Sequence, residues 1–465
     1  MLINLVDNRR YYLDDTIKPS EIIEKTIDKE KRYFCGNKIV NLFKKVPNPI
    51  TTANLDGVEF LEKKSDESET LVLKMVTKNG ETYIQTGNMI GEFYFKDAKT
   101  THQINIGLRF DKKDNTTILE YLINYANAIY PDKVELTPKK TKKQKTNSIA
   151  KLILAKMFSN SLSRAFVMGL PTYYESFQRS GYDVRGKIDI DRLIAKELPF
   201  KGITPYIANE RVIEKNIGAV LLKTIEMVEH EVKSFNILSQ VKATLKQSNI
   251  KPIVTSVAIQ KAQSSKVLRN MAYSEYKNTL KLALMIIQGF KTPDLKDSKG
   301  LFYGYLVDIS KIWENYLVKL FQTNFGDNWK VEVEPELELF KHRPNLHKLT
   351  NTMYPDIVLK HKVENKVMVF DAKFKQSNWF NREDFYKTAT YISYYKNHGF
   401  DVVLGGQIYP DIKADKINEN LGFLGANVDF RLMGIHLSCI ENKIEKDMAE
   451  DNFIERIKQI SGESS

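Results

Sequence analysis

Short apolar runs separated by polar turns fill the first part of the chain. LVLKMV (71–76) and GEFYFKD (91–97) are two of them, and in QINIGLRF (103–110) apolar residues alternate with polar ones, as a half-buried strand requires. TILEYLINYANAIYP (117–131) then has helical spacing and stops at Pro131. The pattern predicts a β-rich N-terminal domain over residues 1–137.

A different pattern, with apolar residues every three or four positions, dominates residues 148–300. It predicts a mainly helical middle region whose helices pack against each other. The two regions are joined by PKKTKKQKTN (138–147), which has no apolar residue to bury. This lysine-rich segment is predicted to be a linker or exposed loop, and both a solvated connector and a DNA-contacting role stay open.

Beyond residue 300 the pattern changes again, and helices alternate with apolar strands. This alternation predicts an α/β layer over residues 301–440, followed by a C-terminal helix or tail over 441–465. The fold class is therefore multidomain α+β, with a C-terminal mixed sheet flanked by helices. The predicted elements are a helix over 308–322, the strands VEVEPELELF, PDIVLK and KVMVFDAKFK, a helix over 382–397, and the strand FDVVLGG.

Composition adds little to this picture. The 70 Lys and Arg residues exceed the 58 Asp and Glu residues, giving a net charge of +12, which fits a polyanionic partner and a lysine-rich surface equally well. The two cysteines, Cys35 and Cys439, form no CxxC pair, so neither a disulfide framework nor a zinc-thiolate site is indicated. No run reaches the roughly 18 apolar residues of a membrane span. We expect a soluble, cytoplasmic protein without a membrane partner.

The strand KVMVFDAKFK carries two charged side chains on one face. A strand period of two places Asp371 and Lys373 together with Val367 and Val369, in a strand that is otherwise apolar on both faces. Ionised groups are costly in such a place unless they are paired or bind a metal. The pattern therefore indicates a functional pair.

A second carboxylate precedes that strand. Asp356 follows Pro355 at the start of PDIVLK, and a short polar connection allows the two strands to form a hairpin that brings Asp356 near Asp371. Two carboxylates suit Mg²⁺, with Mn²⁺ as a substitute, and the backbone carbonyl of Ala372 offers a further oxygen. Phosphodiester hydrolysis needs these parts, and Lys373 would orient the attacking water or stabilise negative charge on phosphate.

Glu314 is a further carboxylate to consider. It lies on or beside the apolar stripe of the helix SKIWENYLVKLF. There it would reach the metal directly or through water. The alternative is a glutamate at the rim of the helix that pairs with Lys311 or Lys319.

A helix glutamate, a Pro-Asp pair and an Asp-x-Lys strand in this order resemble the PD-(D/E)XK nuclease superfamily. Over most of its length the chain also resembles the McrC family, the nuclease subunits of modification-dependent, GTP-driven restriction systems. The resemblance lies in Val184-Arg185-Gly186-Lys187-Ile188-Asp189, similar to the family's R-G-[KR]-I-D, in the helix around Asn216, and in the segment from Asp308 through Lys375.

The helix after the Asp-x-Lys strand both matches and departs from that family. Residues 384–391, DFYKTATY, are similar to the family's D-x-Y-Q-x-x-x-Y, but Lys387 stands where glutamine is usual. A phosphate contact by Lys387 and a plain surface lysine are both open. Lys375 and Arg185 are further candidate DNA contacts, and for Arg185 and Asp189 we favour a structural role in an ion pair that fixes a loop.

The resemblance implies an endodeoxyribonuclease that acts in a hetero-oligomer on double-stranded DNA, driven by a McrB-like AAA+ GTPase that the N-terminal half contacts. The chain itself has no GxxxxGK[ST] phosphate loop. Two alternatives remain: an autonomous PD-(D/E)XK restriction endonuclease, and a non-catalytic DNA-binding or assembly subunit. Intact Asp356, Asp371 and Lys373 count against the second.

Overall fold

The structure is a computed structural model of the full chain. The predicted stop at Pro131 and the lysine-rich segment 138–147 lie outside the residues that it describes. The described residues are 2–18, 21–27, 30–44, 48–51, 53, 58–60, 70–97, 100–110, 117–126, 149–196, 202–231, 236–289, 302–338, 352–375, 382–411, 418–421, 428–437 and 443–463.

Two compact units make up the fold. The first is formed by residues 1–133 and 296–465, and the second mainly by residues 151–295, which lie between those segments along the chain. The first unit therefore joins both ends of the chain. Its N-terminal elements are β1 (Leu2–Val6), β2 (Arg10–Leu13), β3 (Ile22–Ile27), β4 (Glu30–Cys35), α1 (Asn37–Phe43), β5 (Ile50–Thr51), β6 (Val58–Phe60), β7 (Leu71–Lys78), β8 (Glu81–Thr86), β9 (Met89–Asp97), β10 (Thr100–Gly107) and α2 (Thr117–Ala126).

The second unit contains the predicted helices and also a sheet that the sequence pattern did not predict. Two strands of that sheet, Thr172–Gly181 and Thr204–Ile213, are long, but most of their side chains are exposed or half-buried, so no apolar alternation marks them. The elements are α3 (Ile149–Phe166), β11 (Thr172–Gly181), β12 (Lys187–Ile188), α4 (Ile190–Lys196), β13 (Thr204–Ile213), α5 (Lys215–Glu231), α6 (Asn236–Gln247), α7 (Ser256–Gln263) and α8 (Tyr276–Gly289).

The C-terminal part of the first unit has the predicted alternation of helices and strands. It begins with a strand that pairs with β9 and so extends the N-terminal sheet. The elements are β14 (Phe302–Asp308), α9 (Ile309–Phe325), β15 (Trp329–Val333), β16 (Leu337–Glu338), β17 (Thr352–Met353), β18 (Ile357–His361), β19 (Lys366–Ala372), α10 (Arg382–Asn397), β20 (Asp401–Asp411), β21 (Asn418–Asn420), β22 (Phe430–His436) and α11 (Lys443–Ser461).

A mixed sheet of strand order β15-β18-β19-β20-β22-β21 forms the centre of this part. Its β18-β19 pair is antiparallel and its β19-β20 pair parallel. On one face Phe370 of β19 stacks on Phe321 of α9, with ring centroids 5.1 Å apart. On the other face Val369 packs in a buried cluster with Ile392 of α10. A mixed sheet flanked by helices, as predicted from the sequence, is confirmed.

Among the described residues, no helix is both long and apolar enough to cross a membrane.

Helix α9 begins at a buried aspartate, and this cap is a local test of the fold. The carboxylate of Asp308 accepts a hydrogen bond from the Ser310 amide at 2.9 Å. We expect Asp308→Ala to lower the free energy of unfolding by about 1 kcal/mol, because an amide at the helix start loses its acceptor. Asp308→Asn keeps an acceptor and should cost less. Chemical denaturation of both variants measures the difference, and equal stability would contradict the capping role.

Candidate active site

Strand pairing sets the geometry of the two candidate carboxylates. In the hairpin of β18 and β19, Ile357 lies opposite Phe370. Continuing that antiparallel register by one residue brings Asp356 level with Asp371. A side-chain bond closes the end of the hairpin, since the Ala372 amide donates to Asp356 Oδ2 at 2.7 Å. The hairpin expected from the sequence thus places the two aspartates side by side.

Burial controls the charge state of this pair. Asp371 is only 3% exposed, and Asp356 is also buried. Loss of solvent, together with the negative charge of Asp356, raises the pKa of Asp371 to about 7 and outweighs the opposite effect of Lys373. Near neutral pH the Asp356–Asp371 pair therefore still binds a proton. A cation placed between the carboxylates would displace it.

Lys373 lies between two acidic side chains. Its Nζ is 2.6 Å from Asp371 Oδ2 and 3.7 Å from Asp384 Oδ1. Burial alone would lower the pKa of Lys373, but the charges of Asp371 and Asp356 outweigh it, and the pKa is raised. Lys375 also pairs with Asp384, in the first turn of α10. Lys373 is thus a protonated donor at neutral pH, and Lys375 is held by an ion pair.

Glu314 is buried, at 2% exposure, and is ion-paired. Its Oε2 accepts from Lys311 Nζ at 3.0 Å, and the same ammonium lies 2.8 Å from Glu334 Oε1. The Glu334 amide in turn donates to the backbone oxygen of Asp356 at 3.2 Å. The pairing with Lys311 is one that the sequence allowed, but Glu314 lies in the interior of the fold and not at its rim. A chain of polar contacts links it to the strand end that carries Asp356.

Two other side chains lie near the aspartates: Tyr391, the last residue of the DFYKTATY motif, and Gln407, which belongs to no motif. The hydroxyl of Tyr391 donates to the carbonyl oxygen of Tyr354 at 3.1 Å, which ties α10 to the segment before Asp356. Gln407 of β20 is level with Asp371 in the parallel register, is fully buried, and donates to Thr388 Oγ1 at 3.2 Å. Gln407 was missed because the predicted strand FDVVLGG ends at Gly406, one residue before it, whereas β20 continues to Asp411.

The remaining candidates lie elsewhere. Lys387 is exposed on α10, next to the buried Thr388. Arg185 belongs to the second unit, where it is exposed and pairs with Asp183 at 2.8 Å. Asp189 accepts from the Arg192 amide at 3.2 Å, at the start of α4. Arg185 and Asp189 therefore each make a local contact with another residue.

Gly186 explains part of the Arg-Gly segment. A Cβ at this position would lie 2.1 Å from the carbonyl oxygen of Ile207, a backbone atom that cannot move aside cheaply. Only glycine permits this approach of the chain to β13. The segment is thus constrained by packing.

The donor set at the hairpin fits a hard divalent cation. Within the described part of the chain, no three acidic, histidine or cysteine side chains are grouped as a ready metal site. Mg²⁺ does not need such a cage, since it is usually held by one or two carboxylates, with water and substrate phosphate completing the octahedron. Asp356 and Asp371 supply that number of carboxylates.

Solved structures similar to this chain come from Thermococcus gammatolerans. The half-complex of McrB AAA+ hexamers with bound McrC contains a chain that matches with a TM-score of 0.54 at 13% identity, covering 99% of this chain and 100% of that one. A chain of the McrBC complex gives a TM-score of 0.31 at 13% identity, covering 70% of this chain and 88% of that one. The first match shows a shared fold.

Comparison by sequence gives the family. None of the curated proteins matches the chain. The family model described as McrBC 5-methylcytosine restriction system component matches residues 84–410, which is most of the 465 residues. This match confirms the resemblance that the sequence motifs indicated. The chain belongs to the McrBC 5-methylcytosine restriction system component family.

Proposed function

We propose that this protein is the Mg²⁺-dependent DNA endonuclease subunit of a modification-dependent, GTP-driven restriction system that acts against foreign DNA. One observation carries the proposal: two buried aspartates meet at the end of a hairpin, with Lys373 Nζ 2.6 Å from one of them. This is the arrangement of a PD-(D/E)XK nuclease. Its place in a McrBC family member makes DNA the natural substrate.

The cation would be held by Asp356, Asp371 and the backbone carbonyl of Ala372, and Mn²⁺ would substitute for Mg²⁺. Glu314, which is paired with Lys311 and is not grouped with the two aspartates, would act on the ion through water. The bound ion supplies Lewis-acid polarisation of the scissile phosphate and a more acidic attacking water. The protein contributes a site in which the carboxylates are already adjacent, so little reorganisation precedes the reaction. Burial keeps bulk water from screening these charges.

Lys373 acts as a cationic donor in this scheme. Its raised pKa keeps it protonated at neutral pH, so it cannot accept the proton of the attacking water. It instead orients that water and stabilises the negative charge that develops on the phosphate. Asp384, 3.7 Å away, is a second anion that holds the ammonium in position when Asp371 binds the cation.

The partner in this proposal is a McrB-like AAA+ GTPase. The fold shared with a chain of the McrB–McrC half-complex supports it. So does the second unit, in which several large apolar side chains are exposed, among them Tyr182 before β12 and Ile190 and Ile194 on α4. Apolar side chains grouped in this way favour contact with another protein.

Plasmid cleavage tests the proposal and separates it from the alternatives. Methylated and unmethylated plasmids are incubated with Mg²⁺ and this protein, with and without the proposed McrB-like GTPase and GTP. We expect cleavage of methylated plasmid only when the GTPase and GTP are both present. Cleavage that ignores GTP would indicate an autonomous endonuclease. No cleavage by an assembled, GTP-hydrolysing complex would indicate a non-catalytic subunit.

Lys387 tests where α10 meets DNA. If this exposed lysine contacts a phosphate, Lys387→Ala should weaken DNA binding and reduce the slope of log K against log[salt] by about one, because one counterion fewer is released. Lys330→Ala, which removes an exposed lysine from β15, is the matched control. Fluorescence anisotropy at several salt concentrations gives both slopes. An unchanged slope for Lys387→Ala would make it a plain surface residue.

A further inference from the structure

A buried ion pair from the N-terminal segment lies against the strand that carries Lys373. Asp7 follows β1 and Arg109 follows β10, two strands that pair in parallel. The Arg109 amide donates to Asp7 Oδ1 at 2.7 Å, and Arg109 Nε is 3.6 Å from Asp7 Oδ2. The side chain of Arg109 is 2% exposed and that of Asp7 is 0% exposed. Strand pairing and the bond to Asp7 thus fix the backbone of Arg109, and the Asp7 carboxylate lies beside its guanidinium.

The guanidinium of Arg109 makes a hydrogen bond to the residue that directly follows the Asp-x-Lys motif. Arg109 Nη2 donates to the carbonyl oxygen of Phe374, the residue directly after Lys373. The Lys373 amide makes the last backbone bond to β20, to the carbonyl of Ile408 at 2.9 Å. Lys373 is therefore held between a strand bond on its own amide and the Arg109 bond on the next carbonyl.

The side chain of Phe374 is held from the same direction. Its ring meets that of Phe110 edge-on at 5.2 Å, and the Arg109 guanidinium carbon lies 5.4 Å from its centroid. Trp313 of α9 packs on it at 6.0 Å. Both the backbone and the ring of Phe374 thus contact residues that follow β10.

Stability alone is a poor reason for this ion pair. Burial raises the pKa of Asp7 and lowers the pKa of Arg109, so the interior disfavours the charged form of each. Apolar residues of similar volume often stabilise a fold as well as a buried ion pair or better. An arginine at this place brings what an apolar residue cannot, a donor aimed at the Phe374 carbonyl.

We propose that Arg109, held by Asp7, is a positioning residue that fixes the strand end bearing Lys373 in the geometry needed for cleavage. This inference rests on the proposed nuclease function. Lys373 must reach Asp371 and the phosphate together, and a misplacement of about 1 Å in a catalytic group can cost about 10²-fold in rate. The N-terminal sheet thereby becomes part of what sets the cleavage rate.

The test compares the double variant Asp7→Asn/Arg109→Met with the wild type, in the full complex with GTPase, GTP and Mg²⁺. The double variant removes both charges, leaves no buried ion unpaired and keeps an acceptor for the Arg109 amide. We expect kcat to fall about 10²-fold with KM for DNA nearly unchanged. The single variant Arg109→Lys keeps a cationic donor, so its kcat should lie between those of the double variant and the wild type. Ser161→Ala, which removes a buried hydrogen bond to Thr279 in the second unit, is the control and should keep wild-type kcat.

Amide hydrogen exchange supplies a readout that does not depend on cleavage. In the double variant the Lys373 amide should exchange at least about tenfold faster, with amides of β18 unchanged. Wild-type exchange and kcat in the double variant would overturn the inference, and so would an equal kcat loss in Ser161→Ala. If the wild-type complex itself does not cut DNA, the proposed function fails. Exchange at Lys373 then decides by itself whether Arg109 holds the strand end.

Discussion

Asp371→Ala should reduce DNA cleavage by the reconstituted complex on the order of 10³-fold or more, and Lys373→Ala should reduce it about 10²- to 10³-fold. Asp371 is the carboxylate at the centre of the site, and Lys373 is the charge 2.6 Å from it. Removing a group that stabilises developing charge typically costs 10²- to 10³-fold, and losing a metal ligand costs more. Single-turnover rates on a plasmid with Mg²⁺, GTP and the partner give both numbers.

The two variants should fail for different reasons. Calorimetric titration should show weakened Mg²⁺ binding for Asp371→Ala and nearly normal binding for Lys373→Ala, because the lysine is not a ligand. Asp401→Ala, which removes an exposed carboxylate at the start of β20, should cleave normally. If both Asp371→Ala and Lys373→Ala cut DNA like the wild type, the active-site assignment is wrong.

Without metal, Asp371→Asn should make the protein more stable at pH 8 than the wild type. The pKa of Asp371 is raised from 3.8 to about 7, so the folded state binds this proton more tightly than the unfolded state does. The resulting contribution is fully present below about pH 4 and is lost as pH rises to about 7. At 1.4 kcal/mol per pKa unit, the variant should gain on the order of a few kcal/mol over this range.

Thermal unfolding from pH 4 to 9 in EDTA measures this gain. Lys373 does not change the stability in the pH range in which Asp371 titrates, since its raised pKa affects stability only at alkaline pH. Added Mg²⁺ should raise the Tm of the wild type at pH 8 and leave Asp371→Asn nearly unchanged, because binding stabilises only the state that binds. Equal pH dependence in both proteins would contradict the raised pKa of Asp371.

Much of the fold near the site follows from local pattern. The helices α9 and α10 were predicted because each buries one face, which leaves a period of about 3.6 residues in the sequence. The hairpin was predicted because both faces of its strands are buried, which leaves short, mainly apolar runs. The β11 and β13 strands were not predicted, because side chains that stay in solvent leave no such period. The pairing of β14 with β9 joins distant segments, and local pattern carries no information on it.

The site itself was only partly predictable. Asp371 and Lys373 stood out as charges in an apolar strand, and Asp356 through the Pro-Asp start of its neighbour. Asp384 appeared only within a motif, and its closeness to Lys373 depends on how α10 packs. Arg109 gave no signal, since an arginine after a strand is ordinary until the fold brings it to Phe374. Contacts between residues that are distant along the chain can be read only from the three-dimensional structure.

The most direct test of the account is the metal dependence of cleavage by the wild-type complex. Methylated plasmid is incubated with the protein, the GTPase partner and GTP, in matched samples that contain either Mg²⁺ or EDTA. Because GTP hydrolysis also uses Mg²⁺, the partner's GTPase rate is followed in the same samples. We predict cut DNA with Mg²⁺ and with Mn²⁺, and none when the metal is removed by EDTA. Cleavage that persists in EDTA, or that is absent while the complex assembles and hydrolyses GTP in Mg²⁺, would contradict it.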